Sequence, residues 1–245
     1  MAVLSDPAAR RSMDERAQSD EAGVLRFLAT WGRLVVAETF APENRGIEGR
    51  AVGAVAAERG LSGWDALCEI VVADRLRTGF SVPIPVTDAD WTARAEVWRD
   101  PRALVGGSDA GAHLDTMCGA VYSTTLLGEG VRERSLLPIE EAVRLLTGVP
   151  ADLYGLVDRG RVVEGAWADL AVFDPERVGP GPLRTRDDLP GGASRLYAGA
   201  TGMEHVLVNG TEVVTADSLT GAVPGTVLRS GKDTVTVPVP GAAPA

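Results

Sequence analysis

The hydrophobic pattern changes once along the chain, near Leu156, and that change limits the fold more than any other feature. Before it, apolar residues recur at helical spacing or gather into short runs of the kind that make buried strands. After it, β-rich runs are separated by turns. Helices interleaved with short apolar strands predict parallel α/β units, whereas closely spaced β-runs joined by turns predict antiparallel structure.

The detail follows that division. SMDERAQSDEAGVLRFLATW, Ser12–Trp31, is rich in helix formers, and LVVAETF, Leu34–Phe40, reads as a short buried strand. Ile47, Ala51, Val52 and Val55 share a helical face that stops at Gly60. Ser62 and Asp65 form a capping-box pair opening a helix with Trp64, Leu67 and Val71 on one face and a stop at Gly79. VPIPVTDADW, Val82–Trp91, reads as a proline-broken connection. Ala103–Val105 is a short apolar run that ends in glycines, as a buried strand entering a loop does. LPIEEAVRLLTG predicts a helix with Pro138 in its first turn, an apolar face of Ile139, Ala142, Val143 and Leu146, and an end at Gly148. VPADLYGL adds a short helical turn. Beyond Leu156, RVVEG, ADLAVFD and HVLVNGTEVV are β-rich, Asn209-Gly210 is a strong hairpin signal, and the tail VPVPGAAPA is expected to be disordered.

Length and charge narrow the function. At 245 residues the chain holds one large domain or a medium and a small one. A net charge of -10 argues against a nucleic-acid-binding face, which needs clustered Lys and Arg. Cys68 and Cys118, 50 residues apart, read as free thiols of a reducing compartment. No apolar run approaches the length of a membrane span, and the first residues lack a signal-peptide pattern, so a cytoplasmic location is expected.

LVGGSDAGAHLD, Leu104–Asp115, is where chemistry is most concentrated. It carries three glycines and one of only two histidines in the chain. In parallel α/β folds the active site faces the C-terminal ends of the strands. Asp109, just past the Ala103–Val105 run, is placed to bind a divalent metal, to accept a proton from a bound water, or to do both. His113 can orient substrate or act as a ligand. The same residues, Ser108 to Gly111, also suit an Asx turn or a helix cap.

GGSDAGAHLD, followed by LLPIEEAVRLLTGVPADLYGLVDRGRVVEGAWADLAVFDPERV and VLVNGTEVV, resembles the C-terminal region of the amidohydrolase superfamily, in the branch of N-acyl-D-amino-acid deacylases (D-aminoacylases). The resemblance covers Leu104 to about Val214 and is looser over Leu4–Arg99. It implies an α/β fold: a partial (β/α)8 metal-dependent-hydrolase barrel, its last βα units in residues 1–155, then a small antiparallel β-sandwich portion in 156–235 and a tail in 236–245. It further implies zinc at the barrel mouth and a metal-bound hydroxide that attacks an amide carbonyl. Asp109 would be the metal-associated carboxylate that shuttles the proton to the leaving nitrogen, with Ser108 and His113 touching the substrate. The substrate implied is a small-molecule amide, with no nucleic acid and no membrane involved.

The sequence departs from that family in its ligands. His113 and His205 are the only histidines, no His-x-His pair exists, and the sole lysine, Lys232, lies in the tail. His205 reads as a surface or half-buried residue of a sandwich strand, and Cys118 as a small core residue. A catalytic zinc takes about three protein ligands, so the ligand set is incomplete here. A whole barrel takes about 250 residues. The expectation is therefore the C-terminal part of a longer enzyme, completed by a missing N-terminal half or associated as a homo-oligomer. The alternatives are an inactive remnant or non-catalytic partner subunit, and a cyclic-amide hydrolase of the same superfamily.

Overall fold

Ser62 accepts a hydrogen bond from the Asp65 N–H at 3.0 Å, and this cap opens one of the two helices around which residues up to Pro83 are built. The computed structural model describes residues 2–83, 86–108, 111 and 113–238, which fall into two units, one ending at Pro83 and one beginning at Val86. Helices and strands both contribute, and the chain is α/β. Among the described residues no helix is long and apolar enough to cross a membrane.

The first unit runs α1 (Ala2–Ser5), α2 (Pro7–Gln18), a stretch of 3-10 turns, β1 (Val35–Glu38), α3 (Val52–Arg59), α4 (Gly63–Ala73) and β2 (Gly79–Ser81). Val52, Val55 and Ala56 make the buried stripe of α3, the i, i+3, i+4 spacing of an amphipathic helix. They pack with Ala66 and Ile70 of α4 and Val36 of β1, and Leu61, Leu67 and Phe80 cover the rim. Full burial of each Val or Ile is worth about 1.5–3 kcal/mol. Helix α3 stops where expected, at Gly60 with φ +66°. Helix α4 stops at Ala73, short of the expected Gly79, because Arg75 and Leu76 take left-handed conformations (φ 55° and 65°). Asp74 fastens that turn: its carboxylate accepts from the N–H groups of Phe40 (3.1 Å) and Ala41 (2.6 Å) and from the Thr78 hydroxyl (2.6 Å).

The second unit begins with α5 (Asp88–Arg99), whose first four residues fall in the expected connection Val82–Trp91. Its signal is a capping box in which Thr87 and Asp90 bond each other's backbone N–H. After a glycine-rich loop come α6 (Tyr122–Thr125), a π-helical stretch Leu126–Glu133, α7 (Ile139–Leu146) and α8 (Gly148–Tyr154). Pro138 is the residue before α7 rather than part of its first turn, and Gly148 opens α8 rather than ending α7. Leu126, Leu127, Leu137, Ala142, Leu145 and Val178 form this unit's core.

The strands after Leu156 are β3 (Leu170–Phe173), β4 (Gly179–Pro180), β5 (Arg184–Leu189), β6 (Ala193–Tyr197), β7 (Ala200–Thr201), β8 (Met203–Val208), β9 (Thr211–Thr215) and β10 (Ser218–Leu219). Every described pairing is antiparallel. One sheet has the order β10-β9-β8-β3. Asn209 and Gly210, with φ 50° and 75°, make the predicted tight turn between β8 and β9. The RVVEG run forms no strand. The pairs β4·β7 and β5·β6 are successive rungs of one hairpin arm, narrowed at Gly181, whose N–H bonds the Gly199 carbonyl at 2.8 Å. The last described segment returns to the end of α8, where Val235 N–H bonds Gly155 O (2.8 Å) and Val157 N–H bonds Asp233 O (3.1 Å).

The expected parallel strands do not occur among the described residues before Leu156. Strands β1 and β2 pair antiparallel, with Val36 opposite Phe80. Ala103–Val105 is not a strand: the Ala103 N–H closes a turn onto Asp100 O at 2.9 Å. A strand exists only by hydrogen-bonding to a neighbour, and no described strand lies beside this run.

Candidate active-site loop

The segment from Leu104 to Gly119 leaves α5 and comes back on itself. A Cβ placed on Gly119 would sit 1.8 Å from the Ser108 carbonyl oxygen, so only glycine allows the two ends of the loop to meet. Within it, Gly111 has φ +102° and His113 has φ +49°. The His113 carbonyl accepts from the N–H groups of Thr116 (2.8 Å) and Met117 (2.9 Å) and from the Thr116 hydroxyl (3.2 Å). These bonds hold the residue in a left-handed conformation that is otherwise uncommon outside glycine. The His113 side chain is exposed and Ser108 is half-buried. Ser108 and His113 both lie outside helices and strands. Asp109, the candidate general acid/base and metal carboxylate, lies outside the described residues.

Two features beside the loop were not singled out from sequence. One is a cavity of about 360 Å³ between the loop and α5, lined by Trp91, Trp98, Leu104, Gly107, Tyr122 and Leu126. The two indoles meet edge to face with centroids 6.3 Å apart, and Arg94 and Arg134 lie over Trp91 at 4.6 and 4.8 Å. The Thr87–Asp90 capping box was the signal that a helix would bring Trp91 and Trp98 to one side.

The other is the hairpin arm, residues 179–201. The Leu196 N–H of β6 donates to the Leu114 carbonyl at 2.7 Å, which joins the arm to the loop next to His113. Arg186 lies directly across from Arg195. Arg195 makes two bonds to Asp188, at 2.6 and 2.8 Å, and these hold the Asp188 carboxyl below the ordinary carboxylate range. The Arg186 guanidinium sits 3.7 Å from the Tyr197 ring centroid. Pro190, Gly191 and Gly192, between two polar β-runs, were the signal for this turn.

A zinc ion finds no ready site among the described residues, where no group of three or more His, Cys, Asp and Glu side chains stands together. His205 is half-exposed in β8 and bonds Glu212 of β9, so it is committed to the sheet. Cys118 is a half-buried free thiol at the end of the loop, and Cys68 is a buried one in α4, where burial pushes its pKa up. The loop therefore has an exposed imidazole, a tryptophan-lined hollow on one flank and a hairpin arm joined to it by a backbone bond.

Known proteins resemble this chain in sequence. The chain is 48% identical over 90 residues to an N-acyl-D-glutamate deacylase of Alcaligenes xylosoxydans xylosoxydans, covering 37% of this chain and 17% of that protein. It is 30% identical over 199 residues to a D-aminoacylase of the same organism, covering 80% of this chain and 37% of the relative. Among solved structures, an N-acyl-D-glutamate deacylase from Bordetella bronchiseptica complexed with zinc and a phosphonate inhibitor aligns with a TM-score of 0.44 at 28% identity, over 82% of this chain and 36% of the other. The chain thus spans well under half the length of these relatives. The amidohydrolase family profile matches residues 19–214, from the first 3-10 turns to the end of the β8–β9 hairpin, and the chain belongs to that family.

Proposed function

We propose that this chain serves in the hydrolysis of a non-peptide C–N bond, the amide of an N-acyl-D-amino acid. The observation that carries the reading is the 48% identity to an N-acyl-D-glutamate deacylase, supported by the family profile over residues 19–214. Asp109 takes the proton of the attacking water and passes it to the leaving nitrogen, so that the amine departs neutral. Ser108 and His113 contact the substrate from the same loop. Zinc, when bound, would polarise the carbonyl and acidify the water. The described donors do not form a zinc site by themselves, so no step is assigned to the metal. In architecture, the antiparallel strands after Leu156 support the reading of residues 156–235 as a β-sandwich portion. The antiparallel β1·β2 pair is not the pairing of a barrel, so the assignment of residues 1–155 to barrel units rests on the family alone.

One alternative has an observation in its favour: a non-catalytic partner subunit fits a chain with two histidines, one of them committed to Glu212. The experiment is an assay of the zinc-supplemented chain with N-acetyl-D-glutamate, beside Asp109→Asn. Turnover should fall by at least about 100-fold in the variant, the scale of a lost general acid–base group, with an unchanged circular dichroism spectrum. Near-normal turnover in the variant overturns the role of Asp109. An inert wild-type chain favours the partner-subunit reading.

A further inference from the structure

The buried tryptophans of the chain differ in what their indole N–H groups meet. In the first unit the Trp31 N–H donates to the Asp14 carboxylate at 2.7 Å, and the Trp64 N–H donates to the Arg10 carbonyl at 2.8 Å. In the second unit Trp91 is 5% exposed and Trp98 is half-buried, yet among the described residues neither indole N–H has a protein acceptor. A buried tryptophan ordinarily finds a partner for this group. Among the described residues no side-chain nitrogen that is shut off from solvent lacks a bond, so the Trp91 N–H is open to solvent. Both indoles line the hollow of about 360 Å³ beside α5.

The hollow has the size and walls for one ring. Val105, Val121 and Leu126 add aliphatic surface to the two indoles. A dry cavity of about 150 Å³ already holds benzene, so this one has room for a ring with a short substituent. Arg94 and Arg134 lie over the Trp91 ring, which leaves the edge of the indole, with its N–H, to an incoming molecule. An oxygen of partial negative charge suits that edge. Asp90 lies close enough to Arg94 to feel its charge, so the guanidinium calls for no second anion. A carboxylate would also lose its hydration against these apolar walls, which is costly. We propose that the hollow binds a small neutral aryl carbonyl compound, its ring against the two indoles and its oxygen accepting from the Trp91 N–H. The proposal does not depend on the amide-hydrolase reading.

The test is binding to the full chain followed by NMR of the indole N–H signals. Acetophenone and ethylbenzene are close in shape and differ by the carbonyl, and benzoate supplies the charged counterpart. Acetophenone should shift the Trp91 and Trp98 signals and leave those of Trp31 and Trp64, which are already bonded, in place. It should bind about fivefold more tightly than ethylbenzene, the scale of one hydrogen bond, and more tightly than benzoate. Equal binding of ketone and hydrocarbon, benzoate binding as tight as the ketone, or equal shifts at all four indoles overturns the proposal. These outcomes are read on the unaltered chain, so they stand whether or not a variant folds. Trp91→Phe keeps a ring and removes the N–H, and the ketone should then bind no better than ethylbenzene. A preference for the ketone that survives in Trp91→Phe, with an unchanged circular dichroism spectrum, overturns the role of that N–H.

Discussion

The core of the first unit and the glycine loop of the second are held by different means. Around α3 and α4, order comes from apolar burial: Val36, Val52, Ala66 and Ile70 have no exposed surface, and the buried Asp74 carboxylate closes the edge. Around the loop, order comes from backbone. His113 is fixed by bonds to its own carbonyl, Ser108 and Gly119 meet at a distance no other residue allows, and the arm is joined by a single N–H. A packed core tolerates little change in volume, whereas a loop held by backbone tolerates side-chain change but not backbone change.

The largest effect is expected in the core. Ile70→Ala should destabilise the first unit by about 2–5 kcal/mol, the range for such truncations, read by denaturant unfolding through the fluorescence of the Trp31–Trp64 pair, whose centroids are 4.7 Å apart. A loss below about 1 kcal/mol would show that this core relaxes around cavities and is not the rigid partner in the comparison.

Next is Gly119→Ala. The added methyl meets the Ser108 carbonyl rather than a movable side chain, so the loop must open, at a cost of about 1–3 kcal/mol. Amide exchange across residues 111–118 should rise sharply while that of α3 and α4 stays as it was. If exchange in the loop is unchanged, the pinch is not what holds it.

A smaller effect belongs to Asp74. Burial pushes its carboxyl up, but bonds from Thr78, the Ala41 N–H, Asn44 and the Phe40 N–H outweigh burial and hold it below the ordinary value. A folded pKa below the unfolded value of about 3.9 means stability that is fully present above that pH and is lost as pH falls through the folded value. Asp74→Asn should therefore cost about 1.5 kcal/mol at neutral pH, and the cost should shrink as pH falls through the lowered folded value of Asp74. A variant whose loss does not change with pH would assign Asp74 to packing alone.

How much of this was legible in sequence depends on how local the cause is. The Asn209-Gly210 turn, the Gly60 stop of α3 and the Ser62 cap of α4 were readable because a few residues decide them. Helix α5 was equally local, through Thr87 and Asp90, but the prolines at 83 and 85 drew the reading toward a connection. The π-helical stretch at Leu126–Glu133 was not readable. Gly128 there lies where a Cβ would come within 2.9 Å of the Val178 carbonyl, a contact with a residue 50 positions away. The absent strand at Ala103–Val105 is the same lesson, since its apolar residues could not reveal whether a partner strand was at hand. At the candidate loop, the glycines around Ser108 and His113 made a turn legible, and Gly111 does take a positive φ. The hairpin arm was not, because only one backbone bond, from Leu196 to Leu114, joins it to the loop.

The returning segment at Asp233–Val235 has a consequence in time. Leu156 is bridged by Thr234, which the ribosome adds about 80 residues later, on the order of 4–16 s at ~5–20 residues per second. During that interval the Gly155 carbonyl and the Val157 N–H have water in place of Val235 and Asp233. Gly155, where a Cβ would lie 2.1 Å from the Val235 carbonyl, keeps the place open until its strand arrives. The seam between the helices and the β-region is thus among the last parts of the second unit to close during synthesis, and a nascent chain stalled short of Asp233 would present that seam to whatever chaperone waits at the exit.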